Sequence, residues 1–272
     1  MTEAMLPLIV EPEALEACLG RPGLLVVDLS KPETYAQMHV PGAVHLDYGS
    51  LNARRPPALG LLPDDETLSR VLGGIGLTED AHVVAYDDEG GGKAARLLWT
   101  LDCVGHEAGS LLNGGLQAWV NEGHPVSAGP VTPRPSGYRA RRRPEAPLVE
   151  AADIRARLAD PGRVLLDTRS PAEYRGEKVR AARGGHIPGA VNVDWTEALD
   201  SRRNMRLHAE TRLRELFGDK GVTPDKEVVT YCQTHHRSAH TYFVLKALGY
   251  PDVKSYAGAW SEWGNRADLP VE

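Results

Sequence analysis

Cys232 and Arg237 are the residues whose types and spacing most directly suggest chemistry in this chain. They open and close a six-residue stretch of Cys232, Gln233, Thr234, His235, His236 and Arg237. An apolar run at 227–231 precedes it, and a helical pattern at 239–248 follows. Ser238 reads as the start of that helix, its hydroxyl placed to accept from backbone amides two or three residues on. A thiol is nucleophilic as its thiolate, and a free cysteine near pKa ~8.5 is mostly protonated at neutral pH. Three features here would lower that value. The helix N-terminus carries partial positive charge. Loop N–H groups can point inward at a sulfur anion. Arg237 is a permanent cation. His235 and His236 add charge only when protonated. The same features suit a tetrahedral oxyanion such as a sulfonate, a phosphate or an arsenate.

Sulfur transfer, phosphatase or arsenate-reductase chemistry, and a non-catalytic binding module all fit such a loop. A zinc site built from Cys232, His235 and His236 would crowd its ligands into one short segment with no second cysteine nearby, so no metal is expected. Cys18 and Cys103 each lie among Ala, Leu and Val in a helical pattern and read as buried, inert thiols.

The loop is one part of an internal duplication. Leu24 to Leu29, then Pro32 to Tyr35, then His39 to Val44 recur in order as 164–169, 171–174 and 186–191. The second copy carries a longer insert at 175–185. Val83 to Asp87 matches Val228 to Cys232, and Asn113 to Trp119 matches the segment from Tyr256 to Trp263. The counterpart of Cys232 is therefore Asp87, followed by Asp88, Glu89 and three glycines. Acidic side chains cannot act as a soft nucleophile and would repel an anion, so the first copy reads as catalytically silent. His186 reads as a structural hydrogen-bonder, and Asp28 and Asp167 as residues that orient loops. Trp195, Trp260 and Trp263 read as core, with Trp195 and Trp260 placed to flank the site.

Short apolar runs alternate with helical patterns at 12–19, 64–72 and 93–104, which implies α/β architecture and parallel sheets. A Pro- and Arg-rich stretch at 125–147 reads as a linker between a non-catalytic domain at 1–124 and a catalytic domain at 148–272. In open α/β sheets ligands sit beyond the carboxyl ends of the strands, where Cys232 falls.

At 272 residues with 42% hydrophobic content, the chain is long enough for two cores. A net charge of −6 argues against nucleic acid as the main partner. No apolar run reaches the length of a membrane span. Met1 to Pro7 lacks the basic and apolar regions of a signal peptide. Three cysteines make no disulfide framework, so a reducing cytoplasm is expected.

With these residues assembled, the chain resembles the two-domain rhodaneses (thiosulfate sulfurtransferases) over essentially its full length. The marks are His-Ile-Pro-Gly-Ala at 186–190, Glu-Tyr-Arg-Gly at 173–176, the Cys232 loop, and Gly-Ala-Trp-Ser-Glu-Trp at 258–263. The resemblance implies two tandem rhodanese-like domains, each a parallel sheet with helices on both faces. It implies a Cys232 persulfide formed from thiosulfate and passed to cyanide or another thiophilic acceptor. A persulfide carrier serving a protein thiol is the alternative. Gln233, Thr234, His235, His236 and Arg237 would bind substrate, their amides cradling the persulfide, with Arg237 balancing its charge. Related phosphatases carry one more loop residue, so six favours sulfur. The Gly-Ser-Gly of mercaptopyruvate sulfurtransferase loops is missing. No metal or organic cofactor, no membrane and a monomer are expected.

Overall fold

Two five-stranded parallel sheets with the same strand order organise the chain, which the computed structural model describes over residues 5–272. Residues 1–4, part of the stretch read as lacking a signal peptide, lie outside the described residues. In the first sheet the order is Ile9–Val10, Gly109–Leu112, His82–Tyr86, Leu24–Asp28 and Val44–His45. In the second it is Leu148–Val149, Val253–Tyr256, Glu227–Tyr231, Arg163–Asp167 and Val191–Asn192. Numbered within each copy, both sheets run first, fifth, fourth, second, third. The fourth strand is central and fully buried in each, and a pair of valines stands inside each, Val83 and Val84 in one and Val228 and Val229 in the other.

The duplication extends to single hydrogen bonds. Tyr35 donates to the Ala43 carbonyl at 2.9 Å, and Tyr174 donates to Ala190 at 2.6 Å. His39 stacks on Tyr35 and His186 on Tyr174, each ring also bonded to that tyrosine's carbonyl. The Tyr86 hydroxyl accepts from the Val40 amide, and the Tyr231 hydroxyl from Ile187. Trp119 and Trp263 each donate to a proline carbonyl at 2.7 Å. A buried tyrosine or tryptophan must satisfy its polar tip, and both copies do so in the same way. His186 is thus a structural bonder, as its sequence context indicated.

The chain divides into two compact units. One comprises residues 1–51, 63–146 and 200–207, the other residues 52–62, 147–199 and 208–272. Each unit thereby takes in a short arm from the other half of the sequence. In the first unit Arg206, on such an arm, pairs with Glu11 and Glu122. The Pro- and Arg-rich stretch is irregular backbone in the same unit, with Tyr138 and Ala140 buried. In the second unit the arm is an antiparallel hairpin, Ala53–Arg55 with Ala58–Leu61. Cys18 and Cys103 are buried and free, and burial pushes the Cys103 thiol well up, so it is inert at neutral pH. No helix among the described residues is long and apolar enough to cross a membrane.

Candidate active site

Strand Glu227–Tyr231 delivers Cys232 to the carboxyl edge of the second sheet. The chain then turns sharply. His235 is buried with φ at +55°, a left-handed conformation uncommon for a non-glycine residue. His236 occupies the N-cap position with no side-chain cap, and the helix begins at Arg237 rather than at 238–239. Ser238 consequently sits one residue inside the helix. Its hydroxyl does not cap; it lies 3.5 Å from the Cys232 sulfur as a donor.

Cys232 is almost fully buried at 1% exposure. Burial pushes the thiol up. The Arg237 charge, the Ser238 hydroxyl and the amides of Ser238 and Thr234 pull it down further, to about 7. The thiol therefore ionises near neutral pH rather than well above it.

Several contacts hold the loop so that its amides face inward. The amides of Trp260 and Ser261, at the start of helix Ala259–Trp263, bond the carbonyls of Cys232 and Gln233 at 2.9 and 3.0 Å. The Gln233 side chain donates to the Arg180 carbonyl at 3.1 Å. Arg169, paired with Asp167 at 2.6 Å, lies 4.4 Å from the Trp260 ring and braces it. Asp167 therefore orients structure at its strand end, as expected. Trp195 packs 5.9 Å from the His236 ring and edge-on to His240 at 5.2 Å. Burial, with the neighbouring His236, lowers His240 to about 3, so that ring is neutral packing.

The cation of the loop is not alone. Arg237 donates to both oxygens of Glu173, at 2.7 and 3.0 Å. Glu173 is buried, and it also completes a capping box with Ser170 for helix Pro171–Tyr174. Burial raises its carboxyl, but Arg237 and Ser170 together hold it down at about 2. Arg180, half-exposed, makes a second contact to Glu173 at 3.1 Å. Two guanidinium groups thus share one carboxylate, which leaves net positive charge beside the sulfur.

The first unit shows what this cradle is built to hold. The Asp87 carboxylate occupies the equivalent position and accepts from four amides, of Glu89, Gly91, Lys93 and Ala94, at 2.8–3.0 Å. Glu89 and Lys93 correspond to Thr234 and Ser238, whose amides act on the Cys232 sulfur. The expectation that the acidic loop simply repels an anion gives way here. Asp87 is itself the bound anion, and the cradle is filled from within.

Gly60, on the hairpin, touches the loop from outside. A Cβ at this position would overlap the Thr234 carbonyl, and the neighbouring Leu59 amide donates to Ser261 Oγ at 3.2 Å. Glycine is needed here for close approach of two backbones. Gly60→Val is expected to push the loop off its geometry. The thiol midpoint, read from the pH dependence of iodoacetamide alkylation, should rise above 7. Reaction at the thiol should slow at least about tenfold. An unchanged alkylation profile would show that the hairpin does not position the loop.

All six predicted site residues are together in one turn. Sequence reasoning missed Ser238 as a donor to the thiol, Glu173 as the partner of Arg237, Arg180, and the hairpin. Glu173 stood in the Glu-Tyr-Arg-Gly segment, and that signal alone could have drawn attention to it.

Comparison with known proteins accords with this geometry. The rhodanese-like domain family matches residues 11–122 and again 150–266. A thiosulfate sulfurtransferase of Azotobacter vinelandii is 48% identical over 272 residues, covering 99% of this chain and 98% of the relative. One from Pseudomonas aeruginosa is 46% identical, covering 98% and 97%. The sulfur carrier protein TtuD of Thermus thermophilus is 35% identical, covering 87% and 86%. Among solved structures, YnjE superimposes with a TM-score of 0.85 at 23% identity, over 97% of this chain and 68% of that one, and it bears on the fold alone.

Proposed function

Because the chain belongs to the rhodanese-like family, with its domain present twice, we propose that it is a thiosulfate sulfurtransferase working through Cys232. The observation that carries this reading is a buried thiol brought down to about 7 inside an amide cradle whose twin already holds an anion. The Cys232 thiolate attacks the outer sulfur of thiosulfate. The S–S bond of thiosulfate breaks and sulfite leaves with its electron pair. A persulfide remains on Cys232, its outer sulfur facing the amides of Thr234 and Ser238. A thiophilic acceptor such as cyanide then attacks that outer sulfur and restores the thiolate. One difficult transfer becomes two displacements with no net change in charge on the enzyme.

Thiosulfate is a dianion, so binding favours a site with net positive charge, which the Arg237, Glu173 and Arg180 cluster supplies. Intact mass spectrometry after thiosulfate treatment tests the reading. A gain of one sulfur atom, reversed by cyanide, is expected; no gain would remove the persulfide from the scheme. The thiol's lowered pKa also sets the pH behaviour. Thiolate is present above about 7 and is lost as pH falls through it. The rate of Cys232 alkylation is therefore expected to rise with pH around a midpoint near 7. A midpoint near ~8.5, that of a free cysteine, would contradict activation by the loop.

A further inference from the structure

The chain carries a net charge of −6, yet the surface on either side of the Cys232 loop is basic. In the second unit the hairpin contributes Arg54 and Arg55, both exposed, and no carboxylate. The insert contributes exposed Arg175, Lys178 and Arg180 against a single exposed acid, Glu177. These two segments are tied to the loop itself. Gly60 abuts the Thr234 carbonyl, and the Arg180 carbonyl accepts from Gln233. They also carry exposed apolar side chains. Among the described residues the exposed large hydrophobics are Met5, Leu59, Val126 and Val179, and two of these four stand in the collar. Leu59 is 42% exposed on the hairpin and Val179 is 55% exposed on the insert.

A small acceptor such as cyanide has no use for such a rim. Exposed aliphatic side chains interspersed with cations suit a protein surface, where apolar contacts sit within complementary charge. Single-stranded nucleic acid would be expected to meet aromatic stacking platforms, and the collar segments contain no aromatic residue. We propose that this collar is the docking surface for an acidic protein that accepts sulfur from Cys232 on one of its own cysteine thiols. The acceptor thiolate attacks the outer sulfur of the persulfide. The bond between that sulfur and Cys232 Sγ breaks, a new S–S bond forms on the acceptor, and Cys232 leaves as thiolate. No oxidant or reductant is consumed. This inference rests on the sulfurtransferase reading and names its acceptor class.

The test uses the full chain, persulfidated with thiosulfate, and three synthetic cysteine peptides. They share leucines and differ only in carrying glutamate, glutamine or lysine at the charged positions. Sulfur transfer to each is followed by mass spectrometry. The glutamate peptide is expected to react about tenfold or more faster than the glutamine peptide at low ionic strength, with the advantage shrinking as salt is added. An Arg54→Glu, Arg55→Glu double variant should lose much of that advantage, and a Val179→Ser variant should slow transfer to all three peptides by a similar factor. Turnover with thiosulfate and cyanide should be unchanged in both. Equal rates for the three peptides would overturn the proposal, as would an arginine double variant that leaves the glutamate peptide's advantage intact or a Val179→Ser variant that transfers to every peptide at the unaltered rate. It would also be overturned if a single-stranded RNA blocked transfer at lower concentration than the unreactive serine form of the acidic peptide. Failure to form the persulfide at all would instead strike the underlying sulfurtransferase reading.

Discussion

Cys232→Ser is expected to abolish sulfur transfer while leaving the fold in place. A serine hydroxyl is far too weak an acid to supply the anionic nucleophile at neutral pH, and oxygen cannot form a persulfide. Turnover with thiosulfate and cyanide should fall by about 10⁴-fold or more, to the uncatalysed background. The fold should survive because the replacement is nearly isosteric and its hydroxyl finds donors already in place. Those donors are the Ser238 hydroxyl and the amides of Thr234 and Ser238. A shift in Tm of no more than a few degrees is expected, corresponding to about 1 kcal/mol. Thiosulfate treatment should add no sulfur to this variant. Retained transfer with an unaltered Tm would place the reactive group elsewhere. The first unit sharpens the expectation, because its equivalent loop is already stable with Asp87 in place of the thiol and four amides satisfied. The loop conformation therefore depends on an acceptor in the cradle, while sulfur transfer depends on that acceptor being sulfur.

The parts of this site legible in sequence are those governed by local pattern. Strands Leu24–Asp28 and Glu227–Tyr231 are largely buried, so they appear as short, mostly apolar runs with visible ends. The loop follows directly, and the repeat aligned Asp87 with Cys232. What the pattern could not show was pairing at long range. Glu173 lies 64 residues before Arg237, and nothing in its surroundings states that a half-buried arginine will reach it. Leu59 lies 202 residues before Ser261, in the half of the sequence that reads as non-catalytic. The helix start was misplaced because Ser238 is a good N-cap by type, yet its hydroxyl has a better use beside the thiol. Asp87 was misread for a related reason. Side-chain charge was visible in the sequence, but the direction of the carboxylate, turned inward onto its own loop amides, depended on the fold.

Arg237→Ala is expected to have the second largest effect, and its partner decides how that effect should be read. Arg237 lowers the Cys232 thiol and neutralises Glu173 at the same time. Removing it alone leaves a buried carboxylate beside the thiol with only half-exposed Arg180 as a counterion. Removing the main counterion of a buried carboxylate costs up to about 3–5 kcal/mol, so Tm should fall by several degrees. The thiol midpoint should rise well above 7, both because a cation is lost and because an uncompensated anion is created. The kcat/KM for thiosulfate should fall by about 10²–10³-fold. The double variant Arg237→Ala, Glu173→Gln separates the two roles. With the carboxylate neutralised, Tm and the thiol midpoint should recover in part. The loss in kcat/KM measured at high pH, where the thiol is ionised in every variant, should remain, because a dianionic donor still lacks its cation. Recovery of kcat/KM along with the midpoint would confine Arg237 to tuning the thiol. Kinetics unchanged in the single variant would remove it from the site's electrostatics altogether.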